Sequence, residues 1–84
     1  MKKNLYILTI TNGNNEVVYK EAFKSYDEAA EERKDDIEAE KEDAISCGYD
    51  EEDIVCEEDY LKYGDAPENE YFYSIDEVNN PYED

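Results

Sequence analysis

Residues 25–48, SYDEAAEERKDDIEAEKEDAISCG, decide the fold, because they read as one long helix with both ends marked. Ser25-Tyr26-Asp27-Glu28 matches the S-x-x-E capping box, in which the Ser25 hydroxyl and the Glu28 carboxylate satisfy each other's backbone N–H groups. Asp27 and Glu28 also fall in the first turn, where the helix macrodipole favours anions. At the far end Gly48 suits the C′ position of a helix stop, and Tyr49 can make the hydrophobic contact that accompanies it. An apolar stripe runs through Tyr26, Ala29, Ala30, Ile37, Ala44 and Ile45, with the stems of Arg33 and Lys41 filling in. The stripe is thin and rich in alanine, so the helix can lie close against a sheet. At 1.5 Å per residue, positions 26–47 span ~33 Å.

The same stretch holds ten carboxylates against three cations, a net charge of −7. Like charges stand four apart at 27–31, 28–32, 31–35, 32–36, 36–40 and 38–42. Each such pair costs ~0.2–0.5 kcal/mol, so the set costs about 1–3 kcal/mol at low salt. Glu31–Lys34, Lys34–Glu38 and Glu38–Lys41 offer partial relief. The plain reading is a solvated face, but a face chosen for solubility mixes both signs. The one-signed rows Glu28, Glu31, Glu32, Asp35, Asp36, Glu38, Glu42 and Asp43 therefore mark a candidate binding surface.

Upstream, Lys2 to Thr11 alternates, with Leu5, Ile7 and Thr9 on one side and Tyr6, Leu8 and Ile10 on the other. Apolar residues on both sides predict a central strand covered on at least one face. Asn12-Gly13-Asn14-Asn15 is a hairpin turn, since Asn and Gly accept the positive φ that tight turns require. Glu16 to Phe23 returns as a second strand. Downstream, Asp50-Glu51-Glu52-Asp53 opens a short helix or turn near 50–56, with Asp50 as a possible N-cap of a second helix running to Gly64. Ile54, Val55, Cys56, Tyr60, Leu61 and Tyr63 fit neither periodicity, which leaves 57–63 unassigned. Gly64 to Asn69 is a loop by its Gly and Pro. Glu70 to Val78 reads as a third strand, with Tyr71, Tyr73 and Ile75 on one face and Phe72 and Ser74 on the other. The expected fold is α+β: a three-stranded antiparallel sheet packed on one long acidic helix, in ββα(α)β order. Residues 1–78 form the domain and 79–84 a polar tail.

Composition narrows the function. The 84 residues carry 26 acids, 8 bases and no histidine, a net charge of −18. Residues 1–24 are net +2 and residues 25–84 net −20, so a nearly neutral hairpin joins a strongly anionic remainder. A compact chain of this length is roughly 30 Å wide, which sets the charge near one per ~1.7 Å, the axial density of duplex DNA. No apolar run is long enough to span a bilayer, and the N-terminus lacks a cleavable leader pattern, so a cytoplasmic location is expected. Without histidine the commonest general base is missing, and neither Cys47 nor Cys56 has an activating partner, so catalysis is not expected. The two cysteines are expected free and partly buried, and no cofactor is implied. Neither Asp50–Asp53 nor Glu57–Asp59 supplies the central glycine of a calcium loop, so no metal site is expected. Direct nucleic-acid binding is disfavoured by sign. Tyr49, Tyr60, Tyr63, Tyr71 and Tyr73 lie in the acidic part, either as interface anchors or as the large residues of a core without Trp.

The carboxylate rows on the helix, together with Asp50, Glu51, Glu52, Asp53, Glu57, Glu58 and Asp59, resemble the small acidic DNA-mimic inhibitors of phages and mobile elements. Anti-CRISPR and anti-restriction proteins are the best-known groups. The resemblance is compositional, covers residues 25–84 and carries no common fold. It implies an inhibitor that occupies the basic groove of a nucleic-acid-binding protein, such as a CRISPR or restriction nuclease, by competition. The alternative reading is a small acidic adaptor that engages its partner through the hairpin edge or the tyrosines, with affinity insensitive to salt.

Overall fold

The computed structural model describes residues 4–79. The expected strand start at Lys2 and the expected tail from residue 80 onward lie outside the described residues. β1 (Asn4–Asn12) and β2 (Val17–Phe23) form the expected antiparallel hairpin. In its turn the Asn15 N–H donates to the Asn12 carbonyl at 2.9 Å and Asn15 takes the left-handed φ of 65°. This is a three-residue loop closed by an αL residue. The buried Asn12 side chain organises it, its amide oxygen accepting from the Asn14 and Glu16 N–H groups at 2.9 and 3.0 Å. Gly13 is required for a different reason than the one expected. A Cβ there would sit 2.6 Å from the Pro67 carbonyl oxygen, to which the Gly13 N–H donates at 2.9 Å.

The helix α1 (Tyr26–Ser46) starts and stops where its sequence signals lie. The Ser25 hydroxyl accepts from the Glu28 N–H at 3.2 Å; the reciprocal Glu28 bond of the capping box is not formed among the described residues. At the C-terminus the Tyr49 N–H donates to Ala44 and the Gly48 N–H to Ile45, with Gly48 at φ 105°. Both bonds of the Schellman stop are therefore made.

The sheet has five antiparallel strands rather than three. β3 (Val55–Cys56), β4 (Tyr60–Lys62) and β5 (Glu70–Asn79) follow the helix, and the order across the sheet is β2-β1-β5-β4-β3. The observed element order is thus ββαβββ. β5 matches the expected third strand and runs one residue further, to Asn79, pairing along the whole length of β1. The second helix does not form: residues Glu51–Asp53 make a single 3₁₀ turn, and Asp50 makes no side-chain cap bond. Strands of two and three residues are too short to display an alternation.

One face of this sheet receives α1. Leu8 and Ile10 of β1, Tyr73 of β5, Leu61 of β4 and the adjoining Ile54 and Tyr63 enclose Ile37 and Ala44 of the helix. Leu8 and Leu61 are fully buried. Arg33 is buried in the helix stripe, as its stem was expected to be; Ile45 is exposed instead of facing the sheet, and Tyr26, also largely exposed, sets its ring edge-on to Tyr6 of β1. Among the described residues no helix is long and apolar enough to cross a membrane.

Candidate acidic binding surface

Packing of α1 sorts its carboxylates into two rows. Ala29, Arg33, Ile37 and Ala44 define the buried line. Residues three and four apart share a helix face, so Glu32, Asp36 and Glu40, flanking that line, turn toward the sheet and are half-buried. Asp27, Glu28, Glu31, Asp35, Glu38, Glu42 and Asp43 point to solvent. Glu32 and Asp36, expected on the binding face, therefore lie on its inner margin. The other thirteen candidate residues are exposed.

The inner row is held by tyrosine. The Tyr73 hydroxyl donates to Asp36 at 2.9 Å and the Tyr19 hydroxyl to Glu32 at 3.3 Å, with a further bond from Tyr19 to Glu21. A phenylalanine at either site would leave a half-buried carboxylate without its donor. Burial, then the bond to Asp36, raises the Tyr73 hydroxyl above the ordinary tyrosine range. Burial pushes Tyr63 up to about 12, with Tyr71 and Glu40 adding to it. Desolvation, then Asp36 and Asp43, raises the Glu40 carboxyl. Glu40 belongs to this inner row but was not among the expected site residues. Its position four after Asp36 and four before Ala44 was the available signal. Four of the five tyrosines of the acidic part serve the core: Tyr63 and Tyr73 are buried in it and Tyr49 and Tyr71 pack against it, while Tyr60 pairs with Phe72 on the other face of the sheet.

The 50–59 segment lies alongside the helix. Arg33 pairs with Glu58 at 2.8 Å and Lys41 with Glu51 at 3.1 Å. The lower-numbered helix residue meets the higher-numbered partner, so the segment runs antiparallel to α1 and brings a second acidic row beside the first. The expected intrahelical pairs of Lys34 and Lys41 with their i±3 and i±4 neighbours are not formed among the described residues; the helix cations that pair, Arg33 and Lys41, reach across to the flank instead. Between the two rows is a cleft of about 480 Å³ floored by Ala30 and Ile37 and walled by Arg33, Cys56 and Glu57. A second cleft, about 420 Å³, opens where Asp36 and Glu40 face Tyr19, Tyr71 and Glu68.

The molecule is longer than a compact chain of its length, 50 × 23 × 15 Å. Its net charge of −18 thus gives one per ~2.8 Å along the longest dimension, sparser than the duplex value expected from a 30 Å width. On the helix, seven exposed carboxylates between residues 27 and 43 span ~24 Å, a mean axial interval of ~4 Å that is near the ~3.4 Å charge spacing of a single DNA strand.

Cys47 and Cys56 are free, and both are exposed rather than partly buried. Among the described residues no group of three or more acidic or thiol side chains is arranged to hold a metal ion. No protein-family model matches the chain, and comparison with curated proteins and with solved structures returns no match either.

Proposed function

We propose that this protein is a nucleic-acid mimic that inhibits by occupying the basic groove of a nucleic-acid-binding protein, of the kind found in CRISPR and restriction nucleases. The observation that carries the reading is the outer helix row, seven solvent-facing carboxylates at a mean interval of ~4 Å, near the charge spacing of one DNA strand. The flank of Asp50–Asp53 and Glu57–Asp59, tied beside it by Arg33 and Lys41, supplies a second row on the same rigid support. Rigidity matters, because acids carried on a formed helix meet a groove of lysines and arginines without a further backbone-ordering cost. Mechanistically the protein acts by competition alone. Its field steers it to the cationic groove, and the complex weakens as salt rises.

The test is capture of proteins from lysate on the immobilised chain, with challenge by duplex DNA, and comparison with the variant Glu31→Lys, Asp35→Lys, Glu42→Lys. These three are exposed, so the reversal leaves the core untouched. The expected partner binds DNA by itself, is displaced by the duplex, and ignores the variant. A partner that survives both the duplex and the charge reversal would place the protein with salt-insensitive adaptors instead.

A further inference from the structure

The helix covers one face of the sheet and leaves the other open. By alternation and register the open face carries Leu5, Ile7, Thr9 and Thr11 from β1, Val17, Lys20 and Ala22 from β2, and Phe72, Ser74, Asp76 and Val78 from β5. Tyr60 and Lys62 of β4 complete it, with the Tyr60 ring 5.2 Å from that of Phe72. Val17, Phe72 and Val78 are among the most exposed large apolar residues of the protein, at 62%, 46% and 41%. Charge separates this face from every other. Two lysines, Lys20 and Lys62, stand against two carboxylates, Glu70 and Asp76, so among the described residues this face is neutral while the other surfaces hold a net charge of −18.

We infer that this open face is a self-association surface, on which two copies of the chain stack their sheets. A second copy is the occupant the charges favour. Two bodies of net charge −18 repel wherever acidic surfaces meet, and this face alone lets them approach without placing like charges together. It also turns both acidic helices outward. A two-fold axis along β1 overlaps β1, β2 and β5, whose lengths and a ~4.8 Å spacing give roughly 400 Å² per copy, so about 800 Å² in total, at the weak end for a specific contact. A reversible dimer is therefore expected. Pairing through the sheet edges is disfavoured, since β3 has two residues and β2 carries a bulge beside Thr11 and an edge lysine. With the two-fold axis along β1, β2 of each copy crosses β5 of the other. Lys20 then comes within reach of Asp76, one row away along the strands.

This inference is independent of the proposed target, and salt tells the two apart. Screening relieves repulsion between the acidic bodies, so the dimer strengthens with salt while groove binding weakens. The experiment is sedimentation equilibrium of the chain between about 10 μM and 1 mM, at about 50 and 500 mM salt, a range suited to an interface at the small end. The expected result is a dimer of twice the 9.9 kDa chain mass whose population grows with concentration and with salt. Phe72→Lys with Val78→Lys should be monomeric throughout, with circular dichroism reporting an unchanged fold. Lys20→Glu, a solvent-side change, serves as the second variant and should weaken association about fivefold or more. A wild-type chain that stays monomeric at the highest concentration and salt overturns the inference. So does a dimer unaffected by Lys20→Glu, or one that persists when Phe72 and Val78 are both lysine.

Discussion

Neutralising the outer row should make the protein more stable while removing the surface proposed to bind. The perturbation is Glu31→Gln, Asp35→Asn and Glu42→Gln together, all exposed and all beyond the first turn, so the favourable dipole positions Asp27 and Glu28 are kept. The substitutions relieve the like-charge pairs 27–31, 31–35 and 38–42. At ~0.2–0.5 kcal/mol each, the expected gain is about 0.6–1.5 kcal/mol. Little attraction is lost in exchange, because Lys34 makes no ion pair among the described residues and Lys41 pairs with Glu51. With a urea m-value of ~1 kcal/mol per molar for a chain this small, the midpoint should rise by about 0.6–1.5 M in low salt. In 1 M salt, where the Debye length falls to about 3 Å, most of the gain should vanish. Urea unfolding followed by circular dichroism at both salt concentrations measures this. An unchanged or lowered midpoint at low salt, or an equal gain at high salt, would refute the claim that the outer row is electrostatically strained. A gain in stability joined to a loss of binding is what a functional surface maintained against stability should show.

Other consequences are as direct. Leu61→Ala should cost about 2–5 kcal/mol, because Leu61 is fully buried on a strand whose pattern gave no hint of it, whereas Phe72→Ala on the open face should cost far less; equal costs in urea unfolding would deny β4 its place in the core. Gly48→Ala should cost about 1 kcal/mol from its φ of 105° alone, since a Cβ there meets nothing within 4 Å; no change in midpoint would contradict the observed helix stop. Glu40, raised by desolvation and its acidic neighbours, keeps its proton in the folded state to higher pH than in the unfolded state. Its stabilising proton is lost as pH rises through that window, so the urea midpoint should climb on acidification toward the ordinary glutamate value of 4.5, and Glu40→Gln should flatten the climb. Tyr63 follows the same sign at alkaline pH: its stabilisation is complete below the ordinary tyrosine value of 10.0 and disappears as pH rises through about 12. Tyrosinate absorbance should then rise together with loss of the circular dichroism signal, and ionisation of every tyrosine near pH 10 with the fold intact would exclude it.

The composition of the core follows from what it must support. The helix does not turn all ten of its acids outward, because three of them flank the buried line. Glu32, Asp36 and Glu40 face the sheet, and tyrosine is the large residue that can pack there while offering a hydroxyl. That accounts for a core that uses Tyr where many small domains use Phe or Trp.

Local signals settled much of this protein before any tertiary contact was known. The N-cap at Ser25, the stop at Gly48, the hairpin about Asn12 and the alternation of β5 each state their meaning within a few residues, because caps, turns and pleats are short-range geometry. The charge is equally legible, being a sum over residues. Three things depended on long-range packing. β3 and β4 are too short to carry a period and exist because Leu61 and Ile54 fill the core beside β5. Gly13 is explained by Pro67, fifty-four positions away. The division of the helix acids was decided by how α1 seats on the sheet: Arg33 lies on the buried line as expected, but Tyr26 and Ile45 fall off it, which rotates Glu32 and Asp36 inward. Sequence specified how many charges the helix carries; only its docking determined which of them face the solvent.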